Sequence, residues 1–321
     1  MKLINKLAGT ISKKLYWPIC RGCARRLGDN PADKIYTTLC SLAFYQIYHY
    51  WPNLRCPRTF SEKIFYRMLF DRRSILTTLS DKLLVREYVS NKIGEKCLIP
   101  LLWTGEKPEE IPFASLPNEF VIKTNHGCGF TIINNGMNYF DPNKTLKVIN
   151  LWLKKNFCLD FYLGHAWAYK NITPRIMIEE YLEEENKPPK DYKFFCFSGR
   201  VEYLLIVYDR FGYHREKHFT KEFVPLDLWN GSDQFPGPFS RPINYDEMIR
   251  IAEKLSTGFD FVRIDLYNLK GEIYFGEMTF YPAAGMARFI PRDWDYIFGE
   301  KWKLKLRDQS PWLTPGIHAG G

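Results

Sequence analysis

The segment 261–278 restricts the fold more than any other part of the chain. Phe261-Val262-Arg263-Ile264-Asp265-Leu266 alternates apolar and charged residues, and Ile273-Tyr274-Phe275-Gly276-Glu277-Met278 follows across Leu269-Lys270-Gly271. Successive side chains of a strand point to opposite faces, so a period of two marks a strand with one buried face. Two such runs joined by a short Gly-containing break read as an antiparallel hairpin. Further strands are predicted over 120–123 and 130–133, which flank a Gly-containing loop, over 175–182, and over 191–197 and 201–208, joined by Ser198-Gly199. Helices interleave with them. Thr59 and Glu62 form a capping box ahead of Ile64, Phe65, Met68 and Leu69. A second helix is predicted from near Asp81, through Leu84, Val85, Tyr88 and Val89, to Gly94. Asp141-Pro142 opens a third with Leu146, Ile149 and Leu153 inside, and Asn244 and Glu247 cap a fourth that buries Ile251, Ala252 and Leu255. Hairpins embedded among helices predict an α+β fold rather than a doubly wound parallel sheet.

With 45% hydrophobic and 25% charged residues over 321 positions, the chain suits one large domain or a few lobes on a shared core. Lys and Arg number 45 against 36 Asp and Glu, a net charge of +9. That balance favours anionic partners: nucleotides, phosphorylated sugars, nucleic acid or an acidic membrane. Nucleic acid is set aside, because the aromatics fall into core-like patterns and no RNA-binding signature occurs. The eight cysteines are irregularly spaced, and the lone Cys20/Cys23 pair has no second pair or nearby His to complete a metal site. No secretory h-region opens the chain, and the apolar stretch 39–51 is broken by Gln46 and His49. A cytoplasmic protein is expected. Leu3, Leu7, Ile11 and Leu15 recur at helical spacing with lysines between them. Such a stripe either lies on an anionic membrane or docks on the protein itself, and the first alternative predicts peripheral association with the inner face of the cytoplasmic membrane.

Three places carry candidate chemistry. In Phe120-Val121-Ile122-Lys123-Thr124-Asn125-His126-Gly127-Cys128-Gly129-Phe130-Thr131, a strand ends in a lysine and returns through two glycines. Glycines let backbone N–H groups approach phosphate, and a lysine supplies a point charge, although a plain hairpin turn has the same composition. In the late hairpin, Glu277 can come beside Asp265. Two adjacent carboxylates repel unless a cation lies between them, and hard oxygens on a rigid sheet suit Mg²⁺, whereas an Arg–carboxylate salt bridge is the commoner outcome. Arg175-Ile176-Met177-Ile178-Glu179-Glu180-Tyr181-Leu182 ends abruptly in carboxylates, as a nucleotide hinge or as a strand running into solvent.

Taken in order, these pieces resemble the ATP-grasp ligases, and more closely their TupA-like branch, named after a teichuronopeptide-biosynthesis protein. The resemblance rests on Asp81-Lys82 with Arg86-Glu87-Tyr88-Val89, the 120–127 motif, Pro174-Arg175-Ile176-Met177-Ile178-Glu179, Asp191-Tyr192-Lys193, and the two strands of the late hairpin, from about Thr59 to Gly299. Residues 1–55 lie largely outside it, and the basic helical region over 1–58 rests on their own pattern; the resemblance implies an ATP-grasp region over 59–321: a helical lead-in (59–118), a Gly-loop lobe (119–178), a hinge and metal lobe (179–300) and a tail (301–321), with the ATP cleft between two α+β lobes. It also implies that Lys123 and Lys82 grip the ATP phosphates, while His126, Gly127, Gly129 and Thr131 belong to a loop closing over them. Glu179, Glu180 and Leu182 would form the adenine hinge, Asp191 would meet the ribose, Asp265 and Glu277 would hold Mg²⁺, and Arg263 would steady the reacting oxyanion. Many ATP-grasp ligases carry an Asn where this chain has Thr279, so a hydroxyl stands at the second metal position. The implied reaction joins an amino compound to a uronic acid of a capsule, O-antigen or teichuronic-type polysaccharide precursor, free, nucleotide-linked or lipid-linked. The competing enzyme reading is a glycosyltransferase using Asp293-Trp294-Asp295 as a DxD metal motif.

Overall fold

The computed structural model describes residues 34–137, 139–160, 166–184, 188–210 and 212–305. The apolar stripe of Leu3 to Leu15, the Cys20/Cys23 pair and most of the 301–321 tail lie outside them. Two sheets organise the chain. Strands β1 (Leu101–Gly105), β2 (Glu119–Thr124), β3 (Thr131–Asn135) and β4 (Ile176–Glu180) form an antiparallel sheet in the order β1-β4-β2-β3. Strands β5 (Asp191–Phe197), β6 (Arg200–Tyr208), β7 (Arg215–Thr220), β8 (Asp233–Gln234), β9 (Phe261–Leu269) and β10 (Glu272–Thr279) form the second, ordered β10-β9-β5-β6-β7-β8. Only the short β7–β8 pairing is parallel among these strands. The α+β expectation holds.

Helices α1 (Lys34–Tyr48), α2 (Phe60–Phe70), α3 (Ser74–Ser80), α4 (Val85–Ile93), α5 (Pro142–Leu153), α6 (Tyr245–Ser256) and α7 (Asp293–Lys301) cover the sheets. Each sheet has its own core. Ile149 of α5 packs with Phe120, Ile122, Ile176 and Ile178 of the four-stranded sheet. On the larger sheet, α6 buries Met248, Ala252 and Leu255 against one face. On the other, Phe60 of α2 sits among the rings of Phe195, Phe197, Phe261, Phe298 and Trp302. Both faces of β5 are therefore buried along its whole length. Among the described residues, no helix is long and apolar enough to cross a membrane.

The local signals that name a whole motif are present. Thr59 accepts the Glu62 N–H at 3.1 Å and Glu62 accepts the Thr59 N–H at 3.1 Å, closing the capping box of α2. Asp141 accepts the Lys144 N–H at the start of α5. The helix placed near Asp81 begins instead at Val85, because the Asp81 carboxylate accepts the N–H groups of Leu83 and Leu84 in a turn. Asn244 does not cap α6: its amide accepts from Asn268 and donates to the Gly271 carbonyl. The strand predicted over 175–182 stops at Glu180, which leaves Leu182 beyond the sheet. Strands β1, β7 and β8 and helix α7 have no counterpart in the sequence reading; β7 (Arg-Glu-Lys-His-Phe-Thr) carries charges at positions its neighbours cover. The Asp293-Trp294-Asp295 reading fails as well. Asp295 is 2% exposed and accepts both the N–H and the hydroxyl of Ser61, at 2.9 and 3.0 Å, joining α7 to α2.

Two buried groups give stability opposite pH slopes. Burial pushes His218 of β7 down to about 4, against the raising effect of Glu216 and the Leu228 backbone and helped by Lys217. The unfolded imidazole takes a proton near 6.5, the folded one does not, so this group costs stability as pH falls from 6.5 toward 4. Burial pushes Asp295 up to about 6. Its folded carboxyl keeps a proton that the unfolded one has lost, so it favours the fold on acidification through nearly the same window. The wild-type profile is flattened by this opposition, and a variant separates the two. His218→Gln should gain up to ~3 kcal/mol relative to the wild type between pH 7 and pH 4 in urea titrations; a pH-independent difference would show that His218 is not held neutral.

Candidate active site

The site is built by β9 and β10, whose pairing depends on one residue. The two-residue turn Lys270-Gly271, with φ of 50° and 94°, joins them and would place Gly276 opposite Asp265. A bulge at Gly276 shifts the register by one, so that Glu277 pairs with Asp265 and Thr279 with Arg263. A Cβ on Gly276 would stand 3.0 Å from the Asp265 carbonyl oxygen, so glycine permits the close approach. On the other side of β9, Lys193 of β5 pairs with Asp265. Alternation then collects Asp191 and Lys193 with Arg263, Asp265 and Tyr267 on one face.

The carboxylates are held by cations. Arg263 donates from Nε to Asp265 Oδ1 and from Nη2 to Asp265 Oδ2, each at 2.7 Å, and Nη2 also reaches Glu277 Oε1 at 3.2 Å and Thr279 Oγ1 at 3.1 Å. Thr279 donates to Glu277 Oε1 at 2.9 Å, which fixes that carboxylate from the other side. Lys193 Nζ lies 2.7 Å from Asp265 Oδ2 and 3.6 Å from Asp191 Oδ2, and Arg210 bonds Asp191 at 2.9 Å. Shelter in the cleft raises the Glu277 carboxyl, but Lys82, Lys193, Arg263 and Arg210 together hold it well below the usual carboxylate range. It is ionised at every ordinary pH.

Facing this hairpin, the four-stranded sheet brings the second half. Lys123 of β2 donates to Glu179 Oε2 at 2.7 Å, and Arg86 of α4 donates to Glu179 Oε1 at 3.2 Å. Asn125, fully buried, staples the loop after β2: it donates to Asp81 and to the Thr173 carbonyl and accepts from the Arg175 N–H. The staple carries Lys82 to the loop, where its ammonium bonds the Gly127 carbonyl.

Between the sheets lies a cavity of about 300 Å³, reached by Lys82, Lys123, Gly129, Thr131, Glu179, Asp191, Asp265 and Glu277. A smaller apolar slot adjoins it, walled by Ile99, Val121, Ile133, Glu180, Tyr181, Leu182, Pro188 and Pro189. Lys123, Thr131, Asp191, Arg210 and Tyr267 belong to both, so slot and cavity form one channel. Glu179 departs from the hinge reading, because it is committed to Lys123 and Arg86 in the charged cavity while Glu180 and Leu182 line the slot. His126 and Gly127 lie outside the channel lining: His126 is 1% exposed, with its ring toward the Trp152 carbonyl of α5, and Gly127 offers its carbonyl to Lys82. Arg263 and Thr279 stand behind the carboxylates rather than in the cavity wall. Arg86, Lys193, His214 and Tyr267 were not among the predicted site residues, and Arg210 was read only as one of several basic residues able to bind a substrate carboxylate or sugar hydroxyl. The spacing Asp191-x-Lys193 on one strand face was the signal for Lys193; Arg210 follows β6 in a loop with no periodicity to announce it.

Residues 62–303 match the profile of the TupA-like ATP-grasp family. Among solved structures, the chain is similar to D-alanine–D-alanine ligase from Bacillus anthracis (14% identity over 71% of this chain and 66% of that one, TM-score 0.40). It is also similar to phosphoribosylamine–glycine ligase from Thermotoga maritima (15%, 66% and 52%, TM-score 0.39) and to the ATP-grasp ligase PsnB (12%, 65% and 53%, TM-score 0.34). It spans between about half and two thirds of the length of those chains. At these identities and TM-scores no residue role passes from them to this protein. No curated protein matches it. The family match takes in both sheets, the Lys82–Gly127 contact and the Asp265–Glu277 pair, and the chain belongs to the TupA-like ATP-grasp family.

Proposed function

We propose that the protein is an ATP-dependent carboxylate–amine ligase, joining an amino compound to a uronic acid of a surface-polysaccharide precursor through an acyl phosphate. One observation carries the ligase reading: an apolar slot opens into a cavity lined by Lys82 and Lys123 and ends at the Asp265–Glu277 pair. That sequence of surfaces matches a base, a polyphosphate and a metal in order. In this reading Glu180 and Leu182 flank the base, Asp191 lies toward the ribose, Gly129 and Thr131 line the phosphates, and Lys82 and Lys123 neutralise them. The donor set fits a divalent cation, because a single nitrogen of Arg263 already bonds an oxygen of each carboxylate, at 2.7 and 3.2 Å. Mg²⁺ bound there would neutralise phosphate charge and polarise the group being transferred. Arg263 and Thr279 position the two carboxylates. Phosphoryl transfer asks mainly for positioning and charge neutralisation, so no nucleophilic side chain is required. The glycan acceptor is supported by kinship with the TupA-like family and by the net charge of +9. The basic N-terminal stripe supports docking on the inner membrane face, where lipid-linked precursors are met.

The test is ADP release in the presence of uronic acids and a panel of amino acids, with mass spectrometry of the product. An amide formed with ADP and phosphate is expected. Release of AMP and pyrophosphate, or a product made only from a nucleotide sugar, would overturn the reading.

A further inference from the structure

We propose that Lys193 is a resident counter-ion that keeps divalent cations out of the Asp265–Glu277 pair until a nucleotide arrives, so that metal and nucleotide enter together. This rests on the ligase reading above. Every oxygen of Asp265 is already bonded by a cation: Oδ1 by Arg263 Nε, and Oδ2 by both Arg263 Nη2 and Lys193 Nζ. The two side chains of the Lys193–Asp265 pair are 11% and 5% exposed, so water does not screen the pair. Four cations, Lys82, Lys193, Arg263 and Arg210, act on Glu277, against the three carboxylates Asp191, Asp265 and Glu277. A bare divalent ion meets a site whose negative charge is already cancelled. A metal–nucleotide complex brings net negative charge of its own, which the same cations attract.

Lys193 is the group able to yield. Arg263 is fixed by a fork of two parallel bonds to Asp265 and by further bonds to Glu277 and Thr279. Lys193 is a point charge on a flexible stem, and a second carboxylate, Asp191, stands 3.6 Å from its ammonium on the same strand face. It can release Asp265 toward Asp191, or toward phosphate oxygens in the adjoining cavity, without leaving the sheet.

The experiment is a titration of Mn²⁺ followed by electron paramagnetic resonance, with and without the non-hydrolysable ATP analogue AMP-PNP. The wild type should bind Mn²⁺ only with AMP-PNP present. Lys193→Met should bind Mn²⁺ alone at least about tenfold more tightly than the wild type and be thermally stabilised by it. Lys193→Arg keeps the charge and tests the same idea should the Met variant not fold. It should exclude Mn²⁺ alone as the wild type does, and bind Mn²⁺ with AMP-PNP about tenfold more weakly, since a bidentate fork does not yield. Wild-type binding of Mn²⁺ alone as tight as with AMP-PNP, or unchanged binding in both variants, overturns the counter-ion role while leaving the ligase site intact. No Mn²⁺ binding even with AMP-PNP overturns the metal assignment of that site, and the counter-ion role with it.

Discussion

Asp265→Asn should reduce ADP release by about 10³-fold or more, with the nucleotide still bound. Asp265 is the centre of the charged face: it pairs with Glu277 across the bulge, takes both donors of Arg263, and faces Lys193 on the neighbouring strand. An amide keeps the shape but removes the charge. The site is left with an excess of cations, a weaker oxygen ligand, and an amide NH2 set against donors of Arg263 and Lys193 that had bonded the carboxylate. Steady-state rates with matched thermal melts would separate lost chemistry from lost folding. Activity within tenfold of the wild type in a well-folded variant would remove Asp265 from the metal role.

The largest stability effect is expected at Arg67. Its side chain is fully buried, yet its guanidinium bonds Asp260 at 2.7 Å and the Phe261 carbonyl at 2.8 Å, and lies 4.3 Å from the Trp302 ring centre. Burial lowers its pKa, and Asp260 is the first of the groups that oppose this. Trp302 in turn donates to Asp260 at 2.8 Å, so one ion pair ties α2, the start of β9 and the chain after α7. Arg67→Met would leave the Asp260 carboxylate with only the more distant Arg73, at 3.6 Å, and the Trp302 N–H, and should cost about 3–5 kcal/mol in urea unfolding. Adding Asp260→Asn should recover part of that loss, because much of the penalty comes from a sheltered charge that has lost its nearest cation rather than from the missing attraction. A loss below 1 kcal/mol for the single variant would mean that water reaches Asp260.

What was legible in the sequence follows the range of the interactions. The Thr59–Glu62 box and the Asp141 cap are local, and local chemistry names them. The alternation in 261–267 is also local and correctly assigned Arg263 and Asp265 to one face. Glu277 was placed beside Asp265, but the cause was not visible: without the bulge at Gly276 the turn would have set residue 276 there. Asn244 misled because the capping pattern says nothing of Asn268 and Gly271, which compete for the same amide. His126 stands next to the glycines of a loop that reads as phosphate-binding, yet α5, contacted only in the fold, takes its ring. Arg86 and Arg210 reach the channel from a helix and a loop far away in the chain, and no spacing rule connects them with Lys123.

Calorimetric titration of ATP with Mg²⁺ into the wild type and into Lys123→Met tests the account most directly. Lys123 is shared by the apolar slot and the charged cavity, and its side chain is 20% exposed, with the ammonium beside Glu179. One ATP should bind per chain, and loss of the Lys123 charge should weaken it by about 10- to 100-fold, as expected for a charge-assisted contact of roughly 1.5–3 kcal/mol. No heat of binding in the wild type, or equal affinity in the variant, would contradict a nucleotide lying between the two sheets.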